Sequence, residues 1–346
     1  MRVSCSLPCE DWAACGPAAR QAEEEDGFDS VTTHELKHDP FAPLAFAALA
    51  TERVQLVTSV AIAFPRSPMI VAQQAWDLHT HSKGRFVLGL GSQVKAHNER
   101  RFSTPWIAPA ARLGEYIEAV RAIHRCWEYG AKLNYQGQYY NFSLMTPEFS
   151  PPPQHRPLPP VAMAAVGPLM LKTAARTADG VRLHGFATRA YLEQVVRPLL
   201  ARELEAAGKS FEHFEVSGGG FIATGPDAAA VQEEVEKVRY RVAFYGSTPA
   251  YRGVFDLHGV SDLGVKLTEM SKQGQWNRMA AEVPDDLLDL FVARATYDDL
   301  PAAIEKRYGG IVDTVSLDFA PGTPAATRRA TVNAVRAIPS LFKGFR

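Results

Sequence analysis

His34 and Glu35 directly follow a stretch, Asp29–Thr33, that reads as a strand, and His184 directly follows another, Gly180–Leu183. The carboxyl ends of parallel strands form the working face of α/β barrels and open sheets, so these three residues sit where chemistry is done. A histidine titrates near neutrality and passes protons either way; a carboxylate can hold a ligand's polar edge or act as a base. His38 is a further candidate, although His38-Asp39-Pro40 also has the make-up of a turn into a helix. The chemistry on offer is proton transfer. No metal-ligand spacing, Ser nucleophile elbow, H-E-x-x-H pair or P-loop accompanies these residues.

Other strand ends are built to admit a ligand. Ala164-Ala165-Val166-Gly167-Pro168 ends a strand in residues without bulk, and Pro168 takes a first-turn helical position where a missing N–H costs nothing. The free N–H groups of such a helix start, reached past Gly167, form an anion site fit for a phosphate, with Lys172 one turn on. An ordinary strand-to-helix turn is the plainer reading. Thr58-Ser59 and Gly89-Leu90-Gly91 are small strand ends that let a flat ligand approach the backbone. The glycines are not a dinucleotide fingerprint, because the third position is Val94 and a polar, basic stretch follows. A tight turn explains them almost as well. Lys95, His97, Arg100 and Arg101 in that stretch make either a solvated surface or a landing place for an anionic tail.

The elements that must position these residues follow from the pattern. Strand-like and helical segments alternate, which implies βα units and a parallel sheet. Strands are expected at Arg2–Leu7, Asp29–Thr33, Val54–Ser59, Phe86–Leu90, Pro160–Ala164, Gly180–Leu183, Glu215–Ala223 and Thr314–Leu317. Helices are expected between most of them, and Ala325–Phe342 closes the chain. Residues 93–109 read as a loop. The strand count favours a closed (β/α)8 TIM barrel over an open doubly wound sheet. One domain over residues 1–346 is expected, with two insertions. Residues 133–159 hold an aromatic hairpin and a Pro-rich connector; the larger, helical insertion at 246–294 falls between units seven and eight.

Composition excludes several classes. A chain of 346 residues, 46% hydrophobic and with net charge −1, buries a substantial core and has no basic excess for nucleic acid. No apolar run approaches the roughly 20 residues that span a bilayer, and no signal peptide opens the chain. A cytoplasmic protein acting on a small molecule is expected, with neither nucleic acid nor membrane as partner. Cys5, Cys9, Cys15 and Cys126 match no zinc pattern and are expected as free thiols.

Taken in order, the segments resemble the bacterial luciferase-like monooxygenase superfamily, most of all its branch using the deazaflavin coenzyme F420. The residues that carry this are Gly27-Phe28-Asp29-Ser30-Val31, Thr58-Ser59-Val60, Gly84-Arg85-Phe86-Val87-Leu88-Gly89-Leu90-Gly91, Val166-Gly167-Pro168 and Ala178-Asp179-Gly180. The match is close over Arg2–Leu183 and holds in outline beyond. The resemblance implies a barrel with an insertion, binding the deazaflavin, or alternatively FMN, at its carboxyl-end mouth. It implies a non-prolyl cis peptide at Ser59-Val60, so that Ser59, Val60 and Ala61 back the cofactor's ring. It also implies a phosphate loop at Ala165, Val166, Gly167 and Pro168, with Gly91, Ser92, Gln93 and Asn98 nearby. Family members often form homodimers, so the resemblance makes a homodimer possible here.

Two departures matter. Many deazaflavin enzymes of the group carry Ser-Asp-His after strand two, where the acid touches the cofactor and the histidine supports catalysis. This chain reads His34-Glu35-Leu36, so Glu35 keeps the acid and Leu36 replaces the histidine. The group's sugar-phosphate dehydrogenases carry an acid after strand four, where this chain has Val94-Lys95, so that activity is not implied. The proton donor is then to be sought among His34, His38 and His184. The expected function is hydride transfer between the deazaflavin and an unidentified small organic substrate. The alternatives are an FMN-dependent two-component monooxygenase, which needs O2, and a flavin-binding barrel without catalysis. Phe244, Tyr245, Tyr251, Phe255 and Trp276 either shape an apolar pocket or pack the largest insertion itself.

Overall fold

Eight parallel strands close on themselves in the computed structural model, which describes residues 1–346. In chain order they are Arg2–Ser6, Ser30–Thr33, Gln55–Thr58, Phe86–Gly91, Val161–Ala165, Gly180–Leu183, Glu215–Gly218 and Thr314–Ser316. Each pairs with the next, and strand eight returns to strand one through Arg2↔Thr314 and Ser4↔Ser316. No edge is left open. The architecture is the (β/α)8 barrel that the strand count implies.

Period-two alternation explains the closure. Val3, Val31, Leu56, Phe86, Leu88, Met163, Val181, Val216 and Val315 are buried in the core shared with the surrounding helices. Each such side chain contributes about 1.5–3 kcal/mol on leaving water. Val57, Val87 and Ala162 form a separate small layer, against which Phe345 of the tail packs. Beside strand eight, Glu215 accepts from Thr314 Oγ1 at 2.6 Å and pairs with Arg182 at 2.8 Å and Arg2 at 3.7 Å. Burial alone would raise the Glu215 pKa; the two guanidiniums outweigh it and hold the carboxyl below its ordinary value.

Polar caps start the helices where the loops must turn. Asp11 accepts from Ala13 N at the helix Trp12–Gln21, Ser67 from Met69 N at Pro68–His81, and Asp227 from Ala230 N at Ala228–Gly246. No helix is long and apolar enough to cross a membrane.

Four expectations are corrected. Strand seven stops at Gly218 rather than Ala223, because Gly218 and Gly219 have φ of +85° and +90° and turn the chain out of the barrel. The segment beyond, Phe221–Gly225, pairs in parallel with Val292–Thr296 in a sheet of its own. The excursion between strands seven and eight therefore starts at Gly219 and is not purely helical; it encloses a second apolar core around Val235, Val242, Phe255 and Phe291. Within the expected loop after strand four, Lys95–Arg100 is a short helix. The closing helix ends at Arg336, and the tail beyond it is held by Ser340 on Asp313 and Lys343 on Glu212.

Candidate active site

The corner between strands two and three is fixed by side chains of the strand-two loop. After Thr58 the third strand breaks at a cis Ser59–Val60 peptide and resumes as the short strand Ala61–Ile62, which pairs with Leu90 and Gly91. His34 Nδ1 lies 2.7 Å from Ser59 O. A carbonyl oxygen only accepts, so Nδ1 carries the proton and the neutral ring keeps its lone pair on Nε2. That second nitrogen faces Ser6 Oγ at 3.2 Å, and the residue is exposed at the mouth.

Glu35 is placed otherwise than a free base would be. Its Oε2 accepts from Ile62 N at 2.6 Å and from Arg66 Nη1 at 2.8 Å, while the same Nη1 donates to Ile62 O at 2.9 Å. Arg66 also reaches Asp39 at 3.5 Å and lies over the Phe41 ring. With 9% of its side chain exposed, Glu35 is committed to pinning the segment beyond the bulge.

The strand-four glycines serve that corner too. A Cβ on Gly89 would stand 1.8 Å from Thr58 O, and one on Gly91 would stand 2.6 Å from Val60 Cγ2. Thr58 Oγ1 accepts from Gly89 N and donates to Gly89 O, at 2.8 and 2.9 Å. The close approach expected of a flat ligand is made instead by the neighbouring strand.

Across the mouth, strands five and six end at a cleft of about 130 Å³ lined by Ala165, Val166, Gly167, Pro168 and His184. Gly167 has φ +79°, and its missing Cβ would meet nothing within 4 Å. Pro168 opens the helix Pro168–Thr177, so the N–H groups of Leu169 and Met170 lack helical partners. Lys172 does not line the cleft and stands near Glu203. His184 Nδ1 accepts from Phe186 N at 2.9 Å, and the rings of Tyr245 and Tyr251 lie 4.2 and 4.8 Å away. Burial pushes its pKa down to about 4. It is a neutral donor through Nε2–H at pH 7, not a base. Leu171, Leu183, Leu192 and Val196 make the rest of the cleft apolar.

The loop after strand four uses its polar side chains on itself. Gln93 (φ +59°) accepts from Val94 N, Ser92 Oγ donates to Gln93 O, and the buried Asn98 donates to Ser92 O and Val94 O. Asn98 Oδ1 is buried without a partner. Of the basic residues, Lys95 pairs with Glu99, and Arg101 Nη2 donates to Leu36 O at 2.7 Å, tying this loop to the strand-two loop. His97 and Arg100 are exposed, as is His38.

A hollow of about 710 Å³ opens beside His34, lined by Ser6, Gly218, Ser316 and Asp318 and by Lys237 and Arg241. Ser6 N donates to Asp318 Oδ1 at 3.4 Å. The sequence pattern singles out none of Ser6, Arg66 and Asp318; position at the end of strand one and just after strand eight is the sole signal for the first and last. A hollow of about 750 Å³ lined by Arg121, Arg125, Arg156 and Asp179 lies at the amino ends of the strands, the face that barrels use for stability.

Residues 7–314 match the family model described as luciferase-like monooxygenase. An uncharacterised protein of Mycobacterium tuberculosis is 44% identical over 297 residues, covering 86% of this chain and 87% of its own. The 5,10-methylenetetrahydromethanopterin reductase of Archaeoglobus fulgidus is 27% identical over 303 residues, covering 85% and 86%. The solved coenzyme F420-dependent tetrahydromethanopterin reductase of Methanopyrus kandleri has the same fold, with a TM-score of 0.76 at 20% identity over 97% of this chain and 98% of that one.

Proposed function

This chain belongs to the luciferase-like monooxygenase family, and we propose from that premise that it moves a hydride between the deazaflavin coenzyme F420 and a small organic substrate. It is an oxidoreductase, and its cofactor is a flavin or a deazaflavin. Two observations support the deazaflavin. The solved neighbour of the same fold is named for that coenzyme. The exposed His97 and Arg100, beside a loop that already holds Lys95 and Arg101, suit a polyanionic tail better than one phosphate.

The mouth fits such a group. The open Cβ position at Gly167 and the unpartnered N–H groups after it would take a phosphate, with His184 Nε2–H as a neutral donor in the same cleft. Ser59, Val60 and Ala61 would back the ring, held there by Glu35 and Arg66. When bound, the ring takes up or returns a hydride. The protein's own part is the proton. His34 carries the reading: Nδ1–H is fixed on Ser59 O, so Nε2 faces the hollow as a base, and as an acid once protonated.

Titrating the protein with F420 and with FMN, each followed by absorbance, then assaying turnover with and without O2, tests this. Saturable F420 binding and O2-independent turnover are expected. Saturation by FMN alone, with turnover that stops without O2, would replace the proposal by the monooxygenase reading.

A further inference from the structure

We propose that the hollow at the amino ends of the strands binds a small polyanion, a metabolite that carries a pyrophosphate or neighbouring carboxylates. The site lies at the other end of the barrel from His34 and Gly167, and it stands whether or not the hydride-transfer reading does. Its volume of about 750 Å³ falls in the range of small-molecule sites.

Helical spacing brings the charges together. Residues three and four apart share a helix face, so the helix Pro109–Tyr129 gives the hollow Arg121, Arg125, Glu128 and Tyr129 at once. The Pro-rich connector adds Arg156, whose side chain lies against Gly84: a Cβ there would stand 3.7 Å from Arg156 Nη1. Arg346 of the tail lines the hollow too, and the site stands without it.

What marks the place is positive charge without an answering carboxylate. Its two acids are already committed. Glu128 accepts from the backbone N–H groups of Gln154 and Arg156, at 2.8 and 3.3 Å. Asp179 accepts from Val161 N at 2.9 Å and lies 2.7 Å from Arg121 Nη2. Even that nitrogen is buried without an aligned hydrogen-bond acceptor. Arg125 is exposed and forms no ion pair, and Arg156 reaches only the Gln154 carbonyl, through Nε at 3.5 Å. Guanidiniums gathered in this way repel one another, and the stability of this face does not need them, because Glu128 and Asp179 hold it through backbone N–H groups. Each guanidinium is a fork of N–H donors that matches phosphate or carboxylate oxygens two at a time. An anion with two charged groups would occupy those donors and remove the repulsion. The exposed ring of Tyr129, with Leu158, offers apolar contact to the rest of such a molecule.

Calorimetric titration of the full chain at low salt, with pyrophosphate and with citrate as separate probes, tests this. At least one is expected to saturate at one ion per chain, about tenfold tighter than inorganic phosphate, and to weaken steeply as salt is added. Pyrophosphate as the tighter probe names a phosphate ligand, citrate a carboxylate one. Arg125→Ala and Arg156→Ala should each weaken the better probe about tenfold, and Arg125→Lys about threefold, because it keeps the charge and loses the fork. Arg278→Ala, which removes an exposed arginine of the largest insertion, should leave binding unchanged. Equal urea midpoints show that the variants are folded. Saturation by neither probe, binding no tighter than that of inorganic phosphate, or an equal loss in Arg278→Ala overturns the site. So does binding that survives Arg125→Ala and Arg156→Ala together, which would put the probe at the Gly167 turn instead.

Discussion

His34 and His184 occupy equivalent places, each the first residue after a barrel strand, yet their surroundings give them opposite chemistry. A backbone carbonyl receives Nδ1–H of His34, so its lone pair points toward the hollow. A backbone N–H donates to Nδ1 of His184, so its lone pair is occupied and an N–H is left over. Burial then keeps His184 neutral, with a pKa near 4, while His34 stays exposed. Position at a strand end brings a residue to the mouth; the partner of one ring nitrogen decides whether it offers a base or a donor.

The sharpest way to break that contrast is to remove each ring. His34→Ala is expected to cut turnover about a thousandfold, the loss of a general acid–base group, with coenzyme affinity nearly kept. His184→Phe should change turnover less than about tenfold and weaken coenzyme binding instead, through the lost donor. Steady-state kinetics beside absorbance titrations separate the two; equal losses of turnover would erase the distinction.

The glycines of the two sides differ in the same instructive way. At Gly91 the obstacle is a neighbour: a Cβ would press on Val60 Cγ2 at 2.6 Å and push the bulge out of place. Gly91→Ala is therefore expected to cost about 3 kcal/mol in urea unfolding and to loosen coenzyme binding. At Gly167 the space is open and the obstacle is φ +79° alone. Gly167→Ala should cost only about 1 kcal/mol. A reversed order would mean that the bulge is not what those strand-four glycines accommodate.

Glu35 tests whether the strand-two corner holds the site or reacts in it. Glu35→Ala removes the partner of Ile62 N and of Arg66, so a loss of about 2 kcal/mol in unfolding free energy is expected. Turnover at saturating coenzyme should fall only a few-fold. A collapse of turnover with full stability would make Glu35 a chemical group after all.

How much of this was legible in the sequence depends on range. The barrel is carried by local alternation, as in Val3, Val31 and Leu56, and the anion turn by the contiguous run to Pro168. The sequence pattern carries strand seven on to Ala223 because Phe221–Gly225 is β-type in its turn, although Gly218-Gly219-Gly220 already marks the exit. The Lys95–Arg100 helix is six residues long and mostly polar, so it has no apolar stripe to announce it. Glu35 finds Ile62 27 residues away and Arg66 31 away, and Ser6 finds Asp318 across 312. Such pairings come from barrel closure, and no local spacing encodes them.

The smallest expected effect isolates the buried member of the histidine pair. His184 has a folded pKa of about 4 against an ordinary value of 6.5, lowered by burial, and the fully buried His124 is also lowered to about 4 by burial. Between those two values the unfolded chain binds more protons than the folded one, so stability is complete above pH 6.5 and declines as the pH falls toward 4. Lowering the pH from 7 to 6 should cost about 0.7 kcal/mol for each of the two, read as a shift in the urea midpoint. Glu215, held below its ordinary 4.5, adds a loss of the same sign only at lower pH, which keeps the two windows apart. His184→Phe must remove its own share, about 0.7 kcal/mol between pH 7 and 6, while His124 and the histidines His79 and His258, both also lowered by burial, keep the rest of the slope. An unchanged slope in that variant would mean that His184 is hydrated in the folded protein, and its contrast with His34 would then rest on hydrogen-bond partners alone.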